Sequence, residues 1–299
     1  MERHGLKPGD VGRIEVGTET LVDKSKSVKT YLMERFNEEG CFDVLGIDTM
    51  NACYGGTSAF LNAVNWVESS MWNGKYAIVL TGDIAMYEPG PARPTGGAGM
   101  VAMLIGPDAP LVLESETVVS HFEHAWDFYK PNMVSEYPTV DGALSNDCYH
   151  RAIDACYERF RSRVDSRFDY AVLHAPYQKL VRKAFHRVHR LENPASDSIQ
   201  ASDDEFKAKV APGLTLSNEC GNMYAGSVWA SLNSLLCHKE FAPSLGARVM
   251  MFSYGSGFAA SMFGMRVRSP TKIKQVGMPF LERLSKRVEI EPRIFHQMV

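Results

Sequence analysis

One arrangement of predicted elements occurs twice along the chain and limits the folds open to it. In each copy, small residues precede a helix, and a buried strand, a glycine turn and a second strand follow. The helix, strand and turn fall at residues 53–71, 76–81 and 96–99 in the first copy and at 221–236, 248–254 and 255–257 in the second. This duplicated α/β unit predicts layers of sheet and helix, with the two helix N-termini meeting at a pseudo-twofold centre.

Composition excludes several classes of protein. The 299 residues are 45% hydrophobic, enough for one large domain or two modest ones. A net charge of −3 without a long basic run argues against a nucleic-acid surface. The six cysteines include no C-x-x-C pair, which disfavours a zinc site or a disulfide scaffold. With no apolar run of about 18–20 residues and no targeting peptide visible, we expect a cytoplasmic protein without a membrane partner.

The chain is predicted to have three parts. Further strands are expected at residues 11–16, 41–48 and 170–174, and a charged helix at 145–163. The polar and aromatic stretch between the two halves has weak periodicity at its start, so a loop-rich insert is predicted there. The division is an N-terminal half at residues 1–115, an insert with a helix at 116–166, and a C-terminal half at 167–299.

Both ends of the chain are unusual for such a structure. Residues Met1–His4 resemble the last turn of a helix, closed by Gly5. A helix of four residues is not stable alone, so Met1 is interpreted as an internal methionine. The tail after Pro270 stops at Val299 without a clear closing element. We therefore expect the chain to be truncated at both ends.

Cys53 is the candidate nucleophile. It follows an apolar run and precedes Gly55 and Gly56 at the start of the first predicted helix. A helix N-terminus favours the thiolate, and the glycine pair lets a bulky ligand approach the backbone. A buried structural cysteine is the alternative interpretation. Cys220 is the weaker candidate because Glu219 beside it disfavours a thiolate.

Glu19 and His174 are the candidates for proton transfer and polarisation. Glu19 follows a predicted strand among small residues, where burial in a pocket would raise its pKa toward neutral. His174 ends another strand just before Pro176, at the carboxyl end of the sheet where open α/β folds place ligands. A solvated loop glutamate and a core histidine are the corresponding alternatives.

Other polar residues are candidates for binding a ligand. Lys179 and Lys183 lie four residues apart on one helical face and are able to hold a diphosphate together, although an ordinary charged face is the alternative. Asn222 and Ser256 supply neutral donors that would polarise a thioester carbonyl. The pair His121-x-x-His124 lacks a third ligand at a suitable spacing, so no metal is predicted.

Short blocks along the chain carry a family resemblance. They lie at Gly17–Thr20, Asp23–Lys29, Asn51–Thr57, Ala92–Gly97, Asp127–Pro131, Ser135–Pro138, His174–Lys179, Gly221–Tyr224 and Ser253–Gly257. In this order they resemble eukaryotic-type hydroxymethylglutaryl-CoA synthases of the thiolase superfamily. The resemblance covers residues 11–267, nearly the whole chain. It implies the five-layered αβαβα thiolase fold, built from two similar halves and here lacking the N-terminal strands.

The resemblance also implies a reaction and a set of site residues. Cys53 would accept an acetyl group from acetyl-CoA, Glu19 would be the general acid and base, and His174 would orient the second substrate, acetoacetyl-CoA. The implied product is 3-hydroxy-3-methylglutaryl-CoA of the mevalonate pathway, made by a homodimer without a metal or redox cofactor. The implied substrate contacts are Thr95, Ser145, Lys179, Lys183, Asn222 and Ser256.

Two other hypotheses remain open at this stage. The first is a truncated isoform or fragment with impaired catalysis that acts only as a non-catalytic partner of complete subunits. The second is a thiolase or ketoacyl synthase. The combination of Glu19, Cys53 and His174 disfavours this second hypothesis, since those enzymes do not use a glutamate base from this position.

Overall fold

Two four-stranded mixed sheets organise the molecule. The computed structural model describes every residue except 2–3, 164, 196–197, 277–278 and 299. The strands are β1 (Val11–Gly17), β2 (Asp48–Thr49), β3 (Tyr76–Ala85), β4 (Gly97–Ile105), β5 (Leu111–Phe122), β6 (Phe128–Tyr129), β7 (Thr139–Val140), β8 (Tyr170–Leu173), β9 (Arg248–Gly255) and β10 (Ala259–Val267). The first sheet has the order β2-β1-β3-β4, the second has the order β5-β10-β9-β8, and β6 pairs with β7.

Helices cover and separate these sheets. They are α1 (Val28–Asn37), α2 (Gly55–Val67), α3 (Gly142–Arg163), α4 (Gln178–Glu192), α5 (Ile199–Lys209), α6 (Thr215–Cys220), α7 (Ser227–Cys237), α8 (Pro270–Val276), α9 (Leu281–Ser285) and α10 (Pro292–Met298). Across the described ranges, no helix is both long enough and apolar enough to cross a membrane.

The two sheets share one pairing pattern. In the first, β1 runs parallel to β3 and places Val16 opposite Leu80, while β4 runs antiparallel to β3. In the second, β8 runs parallel to β9 and places Leu173 opposite Phe252, while β10 runs antiparallel to β9. The predicted duplication of an α/β unit is confirmed by this match.

The core has five layers. Helices α2 and α7 lie between the sheets, where the rings of Phe60 and Trp229 are 4.6 Å apart and both approach Phe263 of β10. Helix α1 covers the outer face of the first sheet with Phe36. Helices α3 and α4 cover the outer face of the second sheet, where Ile153 and Phe185 are among the buried residues. The predicted αβαβα arrangement is confirmed.

Two segments differ from the sequence-based expectation. The prediction of a strand at residues 41–48 is wrong, because most of this segment is irregular. Its pairing with β1 is limited to an isolated bridge at Leu45 and to the short strand β2. Its apolar residues are divided between core and surface, because Val44 is buried beside Phe36 whereas Phe42 is 70% and Ile47 56% exposed. Strand β5 continues to Phe122, into the stretch predicted as loop, because its alternating side chains pack beside β10.

The other boundaries are close to those expected, with α3 covering the charged helix predicted at 145–163. Strand β5 begins at Leu111 and pairs in the second sheet, while the division of the chain at residues 115 and 166 stays a prediction. The helical end predicted at residues 1–4 lies partly outside the described residues.

Candidate active site

Cys53 lies two residues before α2, at the junction of the two halves. Its neighbour Ala52 has a φ of 35°, which turns the chain into the helix. The backbone at Gly56 is in close contact with the second half, since a Cβ there would lie 2.5 Å from the carbonyl oxygen of Ala225 and 2.0 Å from Thr81 Oγ1. Ala225 belongs to the short 3-10 helix at 224–226 that precedes α7. The predicted meeting of the helix N-termini is confirmed.

The surroundings of Cys53 act against the thiolate that its position before a helix favours. Burial raises the pKa of this thiol well above its usual range, and the carboxylates of Glu19 and Asp83 raise it further. The ammonium of Lys130 opposes this shift. The helix N-terminus therefore acts on a thiol whose surroundings disfavour a negative charge.

Glu19 lies two residues after β1, and its side chain is buried. Burial raises its pKa to about 7, and the nearby Asp83 adds to the effect, whereas Lys130 lowers it. The expectation that burial brings this pKa toward neutral is confirmed. Glu19 Oε1 lies 3.0 Å from Lys130 Nζ, and Oε2 is buried with no hydrogen-bond partner among the described residues. Oε2 is therefore the carboxyl oxygen that the described side chains leave unpaired.

Asp83 holds the loop that carries Glu19, and sequence reasoning missed it. It lies on β3, and its Oδ1 accepts hydrogen bonds from Thr18 Oγ1 at 2.6 Å and from the backbone N–H of Glu19 at 2.8 Å. Thr20 donates to the same oxygen from its N–H and its hydroxyl, and Ala225 N–H donates to Oδ2 at 2.9 Å. A charged residue within a mostly apolar stretch is a sequence signal that could have identified it.

His174 follows β8 and is buried. Its backbone N–H donates to the carbonyl of Phe252 at 2.8 Å, and its own carbonyl accepts from the hydroxyl of Tyr149 at 2.7 Å. Burial lowers the pKa of the imidazole to about 3, so the ring is neutral at physiological pH. Nδ1 has no hydrogen-bond partner within the described part of the chain.

Asp127 supports the glycine turn of the second half. Its Oδ1 accepts from the N–H of Gly257 at 2.9 Å, and its Oδ2 accepts from the hydroxyl of Tyr254 at 3.2 Å. Ser256 lies within this turn and is partly exposed, and its carbonyl is 3.5 Å from Asn51 Nδ2 in the segment before Cys53. The turn after β9 and the nucleophile segment are therefore neighbours.

Thr95 and Asn222 are brought into direct contact. The backbone N–H of Asn222 donates to the carbonyl of Thr95 at 2.9 Å. The buried Asn222 Oδ1 accepts from the N–H of Tyr224 and from Ser227 Oγ, so its amide nitrogen remains a donor toward Tyr87. Burial raises the pKa of Tyr87 to about 12, which keeps this phenol protonated.

The two candidate lysines lie apart from the buried groups. Lys179 and Lys183 are exposed on α4 and line an open cavity of about 530 Å³. Arg182 in the same cavity pairs with Asp203, whereas neither lysine has an ion-pair partner among the side chains that the structure describes. Ser145, in the first turn of α3, is partly exposed, and its neighbour Asn146 accepts a hydrogen bond from Tyr177 just before α4. The cavity is suited to an anionic ligand.

No group of three or more His, Cys, Asp or Glu side chains is placed to hold a metal ion in the described ranges. His121 pairs instead with Glu123 at 2.7 Å, and the ring of His124 packs against Trp126.

Family models match the chain from end to end. The model described as hydroxymethylglutaryl-coenzyme A synthase N terminal matches residues 1–110, and the model of the C terminal matches residues 111–193 and 192–299. The chain belongs to the hydroxymethylglutaryl-CoA synthase family. The boundary between the two models falls at the start of β5, where the chain leaves the first sheet for the second.

The similar proteins of known name are also hydroxymethylglutaryl-CoA synthases. Hydroxymethylglutaryl-CoA synthase A of Dictyostelium discoideum is 47% identical over 99% of this chain and 69% of its own length. The cytoplasmic and mitochondrial hydroxymethylglutaryl-CoA synthases of Mus musculus are 42% and 45% identical, over 99% and 98% of this chain and 67% and 66% of their own lengths.

Solved structures of hydroxymethylglutaryl-CoA synthases share the fold. MvaS in complex with 3-hydroxy-3-methylglutaryl coenzyme A is 27% identical, with a TM-score of 0.88 over 99% of this chain and 76% of that one. A hydroxymethylglutaryl-CoA synthase complexed with CoA is also 27% identical, with a TM-score of 0.84 over 97% and 73%. The five layers are therefore those of the thiolase-like fold.

Proposed function

We propose that this chain condenses acetyl-CoA with acetoacetyl-CoA and water to give 3-hydroxy-3-methylglutaryl-CoA and CoA. The observation that carries the proposal is the placement of Glu19, buried and with one free carboxyl oxygen, close enough to Cys53 for its charge to act on the thiol. A nucleophile beside a general base of near-neutral pKa suits carbon–carbon bond formation next to a thioester.

The first step is acyl transfer to Cys53. The sulfur attacks the thioester carbonyl of acetyl-CoA, the bond from that carbonyl to the CoA sulfur breaks, and the thiol proton ends on CoA. Because burial raises the pKa of Cys53, the thiol must lose its proton as it attacks rather than beforehand. The amide nitrogen of Asn222, which also donates toward Tyr87, is a neutral donor that would stabilise the oxyanion on the carbonyl.

The second step forms the carbon–carbon bond. Glu19 Oε2 removes a proton from the methyl group of the acetyl thioester, and the resulting enolate attacks the ketone of acetoacetyl-CoA. The new alkoxide then takes a proton, which the protonated Glu19 is able to return. His174, neutral at physiological pH, would orient the ketone by hydrogen bonding rather than by charge.

Hydrolysis completes the cycle. Water attacks the thioester between Cys53 and the condensed product, which releases 3-hydroxy-3-methylglutaryl-CoA and restores the thiol. Each step uses only groups of the chain and the substrates, so we propose that the enzyme needs no metal or redox cofactor.

The CoA moieties are proposed to reach the basic cavity on α4. Lys179 and Lys183 offer two positive charges one helical turn apart, a spacing suited to a diphosphate. The related structures in complex with CoA and with 3-hydroxy-3-methylglutaryl-CoA support a thioester of CoA as the ligand class. Thr95, Ser145 and Ser256 are proposed as further contacts.

Mass spectrometry after incubation with acetyl-CoA tests this function. We expect one acetyl group on the peptide that contains Cys53, and condensed product once acetoacetyl-CoA is added. Cys53→Ser should abolish both, whereas Cys220→Ser, the matched control, should retain both. A folded protein whose Cys53 peptide stays unmodified would refute the proposal.

We also propose that the enzyme is a cytoplasmic homodimer of the mevalonate route to isoprenoids and sterols. The edge of the first sheet supports a dimer, because the segment beside the short edge strand β2 exposes Phe42, Leu45, Ile47 and Met50. The cytoplasmic mouse relative supports the compartment. Fluorescence microscopy of the tagged chain would test the compartment, and mitochondrial staining would refute it.

The alternative, a non-catalytic partner subunit, is not favoured. The side chains that would do the chemistry are present and lie at the ends of β1, α2 and β8. A thiolase or ketoacyl synthase is also not favoured, since both family models are those of hydroxymethylglutaryl-CoA synthases.

A further inference from the structure

Lys130 lies in the insert, directly after β6, and connects three parts of the site. Its Nζ is 3.0 Å from Glu19 Oε1 and 2.8 Å from Glu136 Oε2, and the side chain is only 17% exposed. The same ammonium lies 5.4 Å from the ring centroid of Tyr224, in the turn that leads into α7. One partly buried cation therefore contacts the insert, the loop after β1 and the second half.

We propose that Lys130 is a positioning residue for the condensation, holding the Glu19 carboxylate in place through an ammonium bridge that it shares with Glu136. This inference rests on the proposed function for its role, but the bridge itself can be tested without turnover. With Oε1 bound to the ammonium, rotation of the carboxylate is restricted and Oε2 is left as the oxygen that exchanges a proton.

Charges around Glu19 act in opposite directions. Lys130 favours the carboxylate, whereas the negative charges of Asp83 and Glu136 disfavour it. Three other titratable groups interact with Glu19 from separate elements, namely Cys53, Tyr87 and Tyr224. Each of them disfavours the Glu19 carboxylate only when it is itself ionised. Burial raises the pKa of both tyrosines, so they are neutral over the working pH range and Lys130 is the cation that acts on Glu19.

Substitutions on either side of the bridge should therefore have opposite effects. Lys130→Met removes the cation and should move the titration of Glu19 to higher pH by about one unit or more. Glu136→Gln removes a negative charge and leaves the ammonium to Glu19 alone, so it should move the titration to lower pH. Lys130→Arg keeps the charge and should restore a titration near that of the wild type.

Carbon-13 NMR of protein labelled at the glutamate carboxyl carbon provides the direct test. Substitution Glu19→Gln assigns the Glu19 signal, which is then followed against pH in the wild type, Lys130→Met, Lys130→Arg and Glu136→Gln. We expect shifts of opposite sign for Lys130→Met and Glu136→Gln. A Glu19 signal that titrates at the wild-type pH in Lys130→Met would overturn the proposal.

The pH dependence of condensation gives a second readout. In Lys130→Met the acidic limb of kcat should move upward, so activity about one unit below the wild-type midpoint falls roughly tenfold. If the substitutions only damaged the insert, kcat would instead fall at every pH in both Lys130→Met and Glu136→Gln. Absence of condensation by the wild type would refute the proposed function, whereas the NMR titration would still decide the bridge.

Discussion

Burial shifts the pKa values of Cys53, Glu19 and His174 in the directions that favour the neutral form of each. The pKa of the thiol rises well above its usual range, that of the carboxyl rises to about 7, and that of the imidazole falls to about 3. The site therefore does not store a thiolate and an imidazolium in its resting state. Charge must appear during the reaction, where nearby dipoles stabilise it without a large reorganisation.

Replacing the Glu19 carboxyl should separate the two half-reactions. We expect Glu19→Gln to lower the rate of condensation by roughly 100-fold to 10,000-fold, because an amide cannot accept the methyl proton. Acetylation of Cys53 should continue, since the proton released there ends on CoA. Product assay together with peptide mass measures both, and a Glu19→Gln protein that condenses at the wild-type rate would contradict the assignment of the base.

The same carboxyl should also affect stability. Its pKa is about 7 in the folded protein against 4.5 for an unperturbed glutamate, so the folded state binds the proton more tightly. The stability that this proton contributes is complete below pH 4.5 and is lost as the pH rises through 7, an effect of about 3 kcal/mol. Urea unfolding of Glu19→Gln should lack this loss. Identical pH dependence in the two proteins would rule the effect out.

At the scale of elements, a carboxylate on β3 joins both halves of the molecule. Asp83 accepts hydrogen bonds from the loop after β1 and from the backbone of Ala225, in the turn that leads into α7. Because all these donors are buried or partly buried, their orientation depends on one acceptor. The geometry of Glu19 is thus decided by a strand that is distant from it in sequence.

Removing that acceptor should loosen the site. Asp83→Ala leaves several donors without a partner, so we expect a loss of at least about 3 kcal/mol in the free energy of unfolding and a marked fall in condensation. Asp83→Asn retains one acceptor oxygen, so its free energy of unfolding should lie between those of Asp83→Ala and the wild type. Urea titrations would measure the stabilities, and equal values for Asp83→Ala and the wild type would contradict this account.

At the scale of the whole molecule, the two halves meet backbone to backbone. Helix α2 approaches the turn at 224–226 so closely that only a glycine fits at position 56. Around this contact the Phe60 and Trp229 rings pack in the central layer. The two pseudo-symmetric halves therefore meet at a contact where a larger side chain at position 56 would not fit.

A single methyl group at this contact should be costly. Gly56→Ala places a carbon 2.5 Å from the backbone carbonyl oxygen of Ala225, and we expect a loss of about 3 kcal/mol, since the backbone has to move. The matched control is Gly142→Ala at the start of α3, where a Cβ meets no atom within 4 Å. Thermal unfolding should separate the two variants, and equal midpoints would contradict the close packing.

The proposed homodimer can be tested at the exposed edge of the first sheet. Replacing Phe42 and Ile47 by Asp should shift the protein from dimer to monomer in analytical ultracentrifugation, because it places charge in the apolar surface beside β2. Val288→Asp, at another exposed apolar residue, should leave the mass unchanged. A dimer that survives the double substitution would place the interface elsewhere.

Periodicity predicted most of the fold, and local chemistry predicted part of the site. Strand β1 and helices α2 and α3 were expected from their patterns, because amphipathic and buried segments repeat at the period of their secondary structure. The segment at 41–48 misled because its composition resembles that of a buried strand, whereas Val44 is buried but Phe42 and Ile47 are exposed. Asp83 and Lys130 were not singled out, because their importance lies in partners far away in the sequence.

The duplicated pattern, the family and the identity of the candidate nucleophile followed from the sequence alone, because each depends on residue types and their spacing. The ionisation of the site was decided only by tertiary structure. The helix N-terminus suggested a thiolate at Cys53, yet the fold also brings the carboxylates of Glu19 and Asp83 close to the thiol. Burial and these side-chain charges depend on the whole fold, and they oppose the local dipole that the sequence reveals.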